Sequence, residues 1–424
     1  MKKALIFAPF WRQAGHVGNN RVDRFVRWLA ADGYHVVMIR AGSADEIREE
    51  SWGTEITVRD PMGLYRDASP TGVQPPARKP NKLRRALSYW LFNPDPGVVW
   101  ARAAARHPSV LEAASGAAFI LSSNPPESAH VGAWRLSRRL GLPHIVDMRD
   151  GWLDEPLKPL LRTSAFRRRR EGRLEARILR EASAILVTSD VWQELLCKRL
   201  PELANKVTVL TNGYPPSMTE LVRTEKNQQD AGLVLVHAGR FLGSRLTQSP
   251  DLLLQPLLDG VKHKASQGTI KLIGPLSAEE LEIIERFVVP FANQDWLIEC
   301  PGSLPRHELL KLLPQADGLL LLSASYAAIP SKLFEYIPTG RPILVVTERN
   351  SATWRICERL PQATLVETRV QPNNLTVQMY LNAVSNTGLM TACPDEFAEE
   401  HLSGIMRCVI NEISDSQVVP DFLV

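Results

Sequence analysis

The stretch "KALIFAPF" (3–10), "WRQAGHVGNN" (11–20), "RVDRFVRWLAADGY" (21–34), "HVVMIR" (35–40) decides the fold class. A short apolar run meets a glycine-bearing loop, then an amphipathic segment, then a second apolar run. That order reads strand, loop, helix, strand, the opening βαβ unit of a parallel sheet. Further apolar runs recur at "AAFILSS" (117–123), "PHIVDMRD" (143–150), "SAILVTS" (183–189) and "KVTVLTNG" (206–213), with helical patterns between them. They are continuous rather than alternating, as strands covered on both faces are.

The polar, proline-led "YPPSMTELVRTEKNQQDAG" (214–232) interrupts this rhythm and reads as a linker. Alternation then restarts with "LVLVHAGR" (233–240), "TIKLIGP" (269–275), "LIECPGSL" (297–304), "DGLLLLS" (317–323) and "RPILVV" (341–346). The reading is an α/β protein of two doubly wound, Rossmann-like domains facing one another across a cleft. A first domain covers 1–215, a linker 216–232, a second domain 233–395, and a C-terminal helix and tail 396–424. The proline-rich, basic segment 60–97 reads as an excursion or mobile loop within the first domain.

A chain of 424 residues with 44% hydrophobic content is long enough for two real cores. No 18-residue apolar run exists, and the N-terminal "MKKALIFAPFW" is too short in apolar length for a secretory signal. A cytoplasmic location is expected. The five cysteines show no ligand-like grouping, which suits a reducing compartment and argues against structural zinc. Net charge is +11 over residues 1–215 and −7 over the remainder. The basic half is expected to face something anionic, yet its basic residues lack interleaved aromatics, which disfavours nucleic acid.

In open parallel sheets, ligands sit beyond the carboxyl ends of the strands. "HAGRFLGSR" places Arg240 just after a strand and Arg245 five residues later, where two guanidinium groups would clamp a diphosphate or simply sit solvated in a loop. Gly274, ending the strand in "LIGPLS", would let backbone approach a nucleotide. In "IPSKLFEYIPTGRP" (329–342), Ser331, Lys332 and Leu333 would open a helix toward phosphate oxygens. Glu335, one turn in, would accept hydrogen bonds from a ribose diol, or only favour the helix dipole.

Taken in order, these motifs resemble the GT-B glycosyltransferases, and most closely the family 4 retaining enzymes. The carriers are the glycine loop after the first strand, "TNG" (211–213), "GR" (239–240) with a base five residues on, "GSLPRHELLKLLPQAD" (302–317) and "KLFEYIPTGRPIL" (332–344). The resemblance implies transfer of a sugar from a nucleotide-diphosphate donor to a hydroxyl acceptor with retention. It assigns the ribose to Glu335, the diphosphate to Arg240 and Arg245, and close backbone approach to Gly15 and Gly18, and it requires no metal or other cofactor. The family's usual E-x7-E pattern is broken, because Ala327 stands where the first glutamate is expected. A small apolar wall of Ala327, Ala328 and Ile329 would suit a deoxy or otherwise less polar sugar.

The first half adds "SSNPPES" (122–128), whose Ser128 would cap the next helix or line an acceptor site, and "VDMRDGW" (146–152). Similar pairs of segments occur in a bacterial branch of the superfamily. Asp150 would accept a hydrogen bond from an acceptor or donor hydroxyl and Arg149 would orient it, or Asp147 and Arg149 would pair internally. His16 reads as a surface group. The arginine-rich segment 162–180 would lie on an anionic membrane surface at the inner face, or be a solvated helix paired to Glu171, Glu175 and Glu181. Expected partners are a nucleotide-sugar donor and a glycan or lipid-linked acceptor, in envelope polysaccharide or glycoconjugate assembly. An epimerase or hydrolase on the same fold, and a non-catalytic nucleotide-sugar-binding scaffold, are the alternatives.

Overall fold

The computed structural model describes residues 2–13, 18–65, 91–155, 164–214, 232–241, 249–262, 266–368, 374–386 and 394–415. The chain divides into two compact units. The first comprises Met1–Thr188, Trp192–Leu210 and the chain from Ser403 onward, and the second comprises Ser189–Val191 and Thr211–Leu402. The expected linker lies, except for Gly232, outside the described residues, as does 66–90 of the expected excursion.

The first unit holds strands β1 (Lys3–Phe7), β2 (His35–Gly42), β3 (Glu46–Glu50), β4 (Gly53–Arg59), β5 (Ala117–Ser123), β6 (His144–Met148), β7 (Ala184–Val187) and β8 (Val207–Val209). Their order is β3-β4-β2-β1-β5-β6-β7-β8. All neighbours are parallel except β3 and β4, an antiparallel hairpin that the sequence reading missed. "EIREE" carries no apolar run, so it offers no signal of a buried strand, and it lies at the sheet edge with its residues exposed. Gly53, which opens β4, is required there: a Cβ would fall 2.0 Å from the carbonyl oxygen of Val36 on β2. Helix Asn19–Ala31 returns the chain from β1 to β2 and buries Val22, Phe25, Val26 and Leu29, the i, i+3, i+4, i+7 stripe of an amphipathic helix.

The second unit holds β9 (Leu233–Ala238), β10 (Gly268–Ile273), β11 (Trp296–Gly302), β12 (Gly318–Ser323), β13 (Ile343–Thr347) and β14 (Ala363–Glu367). The order is β11-β10-β9-β12-β13-β14, with parallel pairing throughout. β14 was also missed, because this edge strand is short and mostly half-buried. Both sheets wind outward from their first strand and then reverse, so each has a switch point, β1/β5 in one and β9/β12 in the other. Crevices open at the carboxyl ends of strands at such points.

Both cores are mainly apolar. Leu5, Phe7, Ile39, Trp100 and Ile120 belong to the first, and Leu235, Leu272, Leu320, Leu344 and Trp296 to the second. One polar knot interrupts the first: Ser122 Oγ lies 2.7 Å from His130 Nδ1 and 2.7 Å from His144 Nε2, all fully buried. Burial, reinforced by the neighbouring His130, pushes the His144 imidazole down to about 3. It is therefore neutral in the folded chain at every pH near neutrality.

The unfolded chain binds the proton that folded His144 refuses, so stability is complete above about pH 6.5 and falls as pH drops below it. Between pH 7 and 5 the loss from this group is about 2 kcal/mol, from the ordinary histidine value and 1.36 kcal/mol per unit. Urea unfolding at the two pH values measures it, and His144→Gln should flatten the difference. An unchanged pH dependence in that variant would remove His144 as its source.

Candidate donor and acceptor sites

The second unit's switch point gathers several of the expected residues. At the end of β9 the chain turns through Gly239, at φ +106°, whose N–H donates to the carbonyl of Ile273 at 2.7 Å. Gly274 ends β10 alongside it and donates to the Gly302 carbonyl at 2.9 Å. A Cβ on Gly274 would lie 2.7 Å from the Gly239 oxygen, so the two backbones press together with no room for a side chain. The same contact leaves the ends of neighbouring strands open to a ligand's close approach.

Over this backbone lies Lys332. A Cβ on Gly239 would lie 3.4 Å from Lys332 Nζ, and Nζ is 3.2 Å from His237 Nε2. His237 Nδ1 is 2.9 Å from the Leu320 carbonyl, which can only accept, so Nδ1 carries the proton and Nε2 accepts from the lysine. Its ring stacks on Phe241 at 4.1 Å between centroids. Burial pushes the Lys332 ammonium down to about 7, with Glu335 opposing the shift. Burial first, then the charge of Lys332, holds His237 well below the usual imidazole range.

Two anchors fix the surroundings. Tyr336 Oη accepts from the Ala238 N–H at 2.8 Å, tying the turn that carries Lys332 and Glu335 to the end of β9. Glu280 accepts from the Phe241 N–H at 2.9 Å and completes a capping box with Ser277 on helix Ala278–Ala292. Glu335 is 14% exposed and pairs with Arg306 at 2.6 Å. Arg240 is exposed, and Arg245 lies outside the described residues.

The turn at 331–336 corrects one expectation. Its α-helical part is only Leu333–Tyr336, followed by a 3₁₀ turn, Ile337–Thr339, and a left-handed Gly340. The N–H groups of Leu333, Phe334 and Glu335 are spent on Pro330, Ser331 and Lys332 carbonyls. The expected helix is therefore a single α-helical turn, with these three N–H groups already used within it. Leu333 is wholly buried, so its side chain is core and not a ligand contact, while Ser331 is exposed beside it. Ala327, Ala328 and Ile329 are buried, at 5%, 8% and 9% exposure, and form an apolar wall.

In the first unit, Asp147 at the end of β6 takes Arg21 Nε and Nη2 at 2.7–3.0 Å and the Ser123 hydroxyl at 2.7 Å, all buried. Arg21 also donates to the Leu210 carbonyl at 2.9 Å. Asp147 thus pairs with Arg21, correcting the suggested pair with Arg149. Arg149 is set apart by its backbone, whose N–H donates to Asn124 Oδ1 at 2.8 Å and whose carbonyl accepts from Thr188 Oγ1 at 2.9 Å. Its guanidinium lies 5.5 Å from the Phe10 ring and reaches Gly18, where a Cβ would fall 1.8 Å from Nη1. That buried Nη1 has no hydrogen-bond partner among the described residues, and Asp150 stands off at 4.0 Å. Burial lowers the Arg149 guanidinium, and Asp150 and Asp147 partly restore it. Gly18, Arg149 and Asp150 come together; Gly15 and His16 lie outside the described residues.

Residues 18–213 match the family model described as "Glycosyl transferase 4-like domain". Solved structures of similar fold include a glycosyltransferase from Rickettsia africae ESF-5, at 10% identity over 98% of this chain and 97% of that one, TM-score 0.55. The lipopolysaccharide outer core galactosyltransferase WaaB in its apo form follows at 13% identity, 97% and 99% coverage and TM-score 0.56. Anabaena Alr3699/HepE in complex with UDP matches at 13% identity, 98% coverage of each chain and TM-score 0.54. Over residues 18–213 the chain is thus similar to a glycosyl transferase 4-like domain, and its fold is GT-B. At these identities the structural likeness is one of fold, and no curated protein matches the sequence.

The arginine-rich segment of this GT-B chain forms helix Ala165–Glu181, where Arg177 pairs with Glu181 at 3.3 Å on the exposed face, while Glu171 and Glu175 are buried rather than solvated. Arg167 turns inward, pairing with Glu171 at 2.9 Å and donating to the Phe92 and Pro94 carbonyls. Glu175 is also buried and bound by Arg199 at 2.5 Å. The exposed side chains are Phe166, 65% exposed, with Arg168, Arg169, Arg170 and Arg173 toward the N-terminal half, and Arg177 and Arg180, paired to Glu181 and Glu202, beyond them. Ser128 corrects another expectation: it lies inside its helix, Ser128–Leu140, and its N–H is capped by Asp95 Oδ2 at 2.9 Å. Among the described residues no group of three or more His, Cys, Asp or Glu could hold a metal, and no helix is long and apolar enough to cross a membrane.

His237, Tyr336, Glu280, Arg306 and Arg21 were not singled out from sequence. A histidine two residues before the "GR" and a tyrosine directly after the glutamate were the available signals for the first two.

The crowding at Gly274 makes a steric prediction. Gly274→Ala should destabilise the chain by about 1–3 kcal/mol, the range for overpacking. Gly302→Ala, at φ +83° with open space around it, should cost only the left-handed backbone penalty, about 1–2 kcal/mol. Urea unfolding of both variants tests the ranking.

Proposed function

We propose that this chain transfers a sugar from a nucleotide-diphosphate donor to a hydroxyl acceptor with retention, in envelope polysaccharide or glycoconjugate assembly. The observation that carries the proposal is Lys332 held over the touching Gly239 and Gly274 backbones, with Glu335 three residues further along. A cation above close-approach backbone suits a diphosphate, and an acceptor-only carboxylate nearby suits the ribose diol. The Alr3699/HepE structures in complex with UDP and with UDP-glucose support the same reading.

In this scheme Lys332, Arg240 and Arg245 neutralise the departing diphosphate, and Glu335 exchanges its Arg306 contact for ribose hydroxyls. The acceptor oxygen bonds to the anomeric carbon on the face the diphosphate leaves, and its proton passes to a diphosphate oxygen. Catalysis is positioning and charge stabilisation, and the scheme needs no metal. Arg149 and Asp150 take the acceptor side, where the buried guanidinium orients a polar group and Asp150 accepts from a hydroxyl. The apolar wall at 327–329 fits a deoxyhexose, and the exposed Phe166 with its four arginines fits a lipid-linked acceptor at an anionic membrane surface. Ala327 also favours a second reading, a donor-binding protein without transfer.

A radiolabelled donor panel, with and without lipid-extract acceptors, separates transfer from donor conversion and from binding alone. Glu335→Gln should weaken nucleotide-sugar binding about 10-fold or more, the scale of a charge-assisted hydrogen bond lost. Arg149→Gln should lower turnover while leaving that affinity within about 3-fold. Calorimetry and initial rates give both numbers. Undiminished binding by Glu335→Gln would refute the ribose assignment.

A further inference from the structure

We propose that His237 is a positioning residue that holds the Lys332 amine over Gly239, and that this pair makes the site take up a proton when a diphosphate ester binds. The inference rests on the donor-site reading above and adds a proton to it.

The geometry leaves little freedom. His237 is locked by its Nδ1–H bond to the Leu320 carbonyl and by the Phe241 ring, so its Nε2 lone pair has one direction. Lys332 Nζ donates into that lone pair, which fixes the end of a side chain that otherwise carries several rotatable bonds. A neutral imidazole can accept from an amine and, more strongly, from an ammonium, so His237 holds Lys332 in either protonation state. The charged groups around Nζ are few. Among the described residues, β9 brings His237, kept neutral, and the exposed Arg240 follows it past Gly239; from its own turn there is Glu335, whose charge is shared with Arg306 across on helix Arg306–Leu312. Nothing among them fully compensates a buried ammonium, which is why burial brings Lys332 to about 7.

A diphosphate ester arriving at Gly239 supplies the missing negative charge. The amine then becomes fully protonated, taking one proton from solvent for every neutral lysine converted. With the free group near 7, uptake should be about half a proton per donor at pH 7, approaching one at pH 8 and vanishing toward pH 6. Above pH 8, affinity should fall about 10-fold per unit.

Calorimetric titration of the full chain with UDP-glucose, GDP-mannose and dTDP-glucose, in buffers of different ionisation enthalpy, reads the uptake directly. Their phosphates are diesters and do not titrate in this range, so any proton belongs to the protein. Lys332→Arg should bind with no uptake, because its charge is permanent. His237→Phe should lose about 10-fold in affinity and alter the uptake, and His237→Gln, which keeps an acceptor, should recover most of that loss. Binding without uptake by the unaltered chain, or uptake that persists in Lys332→Arg, overturns the inference and leaves the donor site standing. No binding by any donor overturns both.

Discussion

A parallel sheet covered by helices on both faces offers polar chemistry almost nowhere except at the ends of its strands. In both units the strands at the switch points are apolar and fully buried, as at Leu5–Phe7 and Leu319–Leu322. The polar side chains that do enter them are committed to partners. Asp147 is consumed by Arg21 and Ser123, and His237 by Leu320 and Lys332. Reactive surface is thus confined to the carboxyl ends at the two switch points, where crowded glycines and a few charges meet.

The two ends treat charge in opposite ways. At β6 a buried guanidinium–carboxylate pair, Arg21 with Asp147, is geometrically complete, so neither partner is left over for chemistry. The adjacent Arg149 is held by its backbone, and its Nη1 is unmatched among the described residues. At β9 the cation is a lysine whose nearest partner is a neutral ring. Buried charges without counter-ions cost stability in the empty protein, and such cost is commonly concentrated where a ligand will relieve it.

How much of this the sequence disclosed follows from the same physics. Continuous apolar runs announced the buried parallel strands, including the turn at each switch point. Of the strands that escaped notice, β3 and β14 lie at sheet edges, where half of the hydrophobic signal is missing, while β4, though internal, reads "GTEITVR", in which polar residues break the apolar run. Arg149, Asp150 and Gly274 stood out because charge or glycine follows an apolar run, Glu335 because it sits one turn into a helix within a motif shared with the resembled family, and Gly18 because it lies in that family's glycine loop. His237 did not, since a histidine inside a strand gives no sign of what its second nitrogen will touch. Nor could one-dimensional spacing show that Leu333 points into the core, or that Asp95, 33 positions away, caps the helix that Ser128 begins.

The hairpin strand β3 carries a further implication for how copies of this protein behave in concentrated solution. Ile47 is 55% exposed on an open sheet border, the kind of surface onto which a strand from a neighbouring molecule can zip. Glu46, Glu49 and Glu50 flank it, so two such borders brought edge to edge would oppose like charges. Besides pairing with Arg48 and Arg12 within the molecule, the carboxylates of Glu46 and Glu50 give this border a charge that resists self-association.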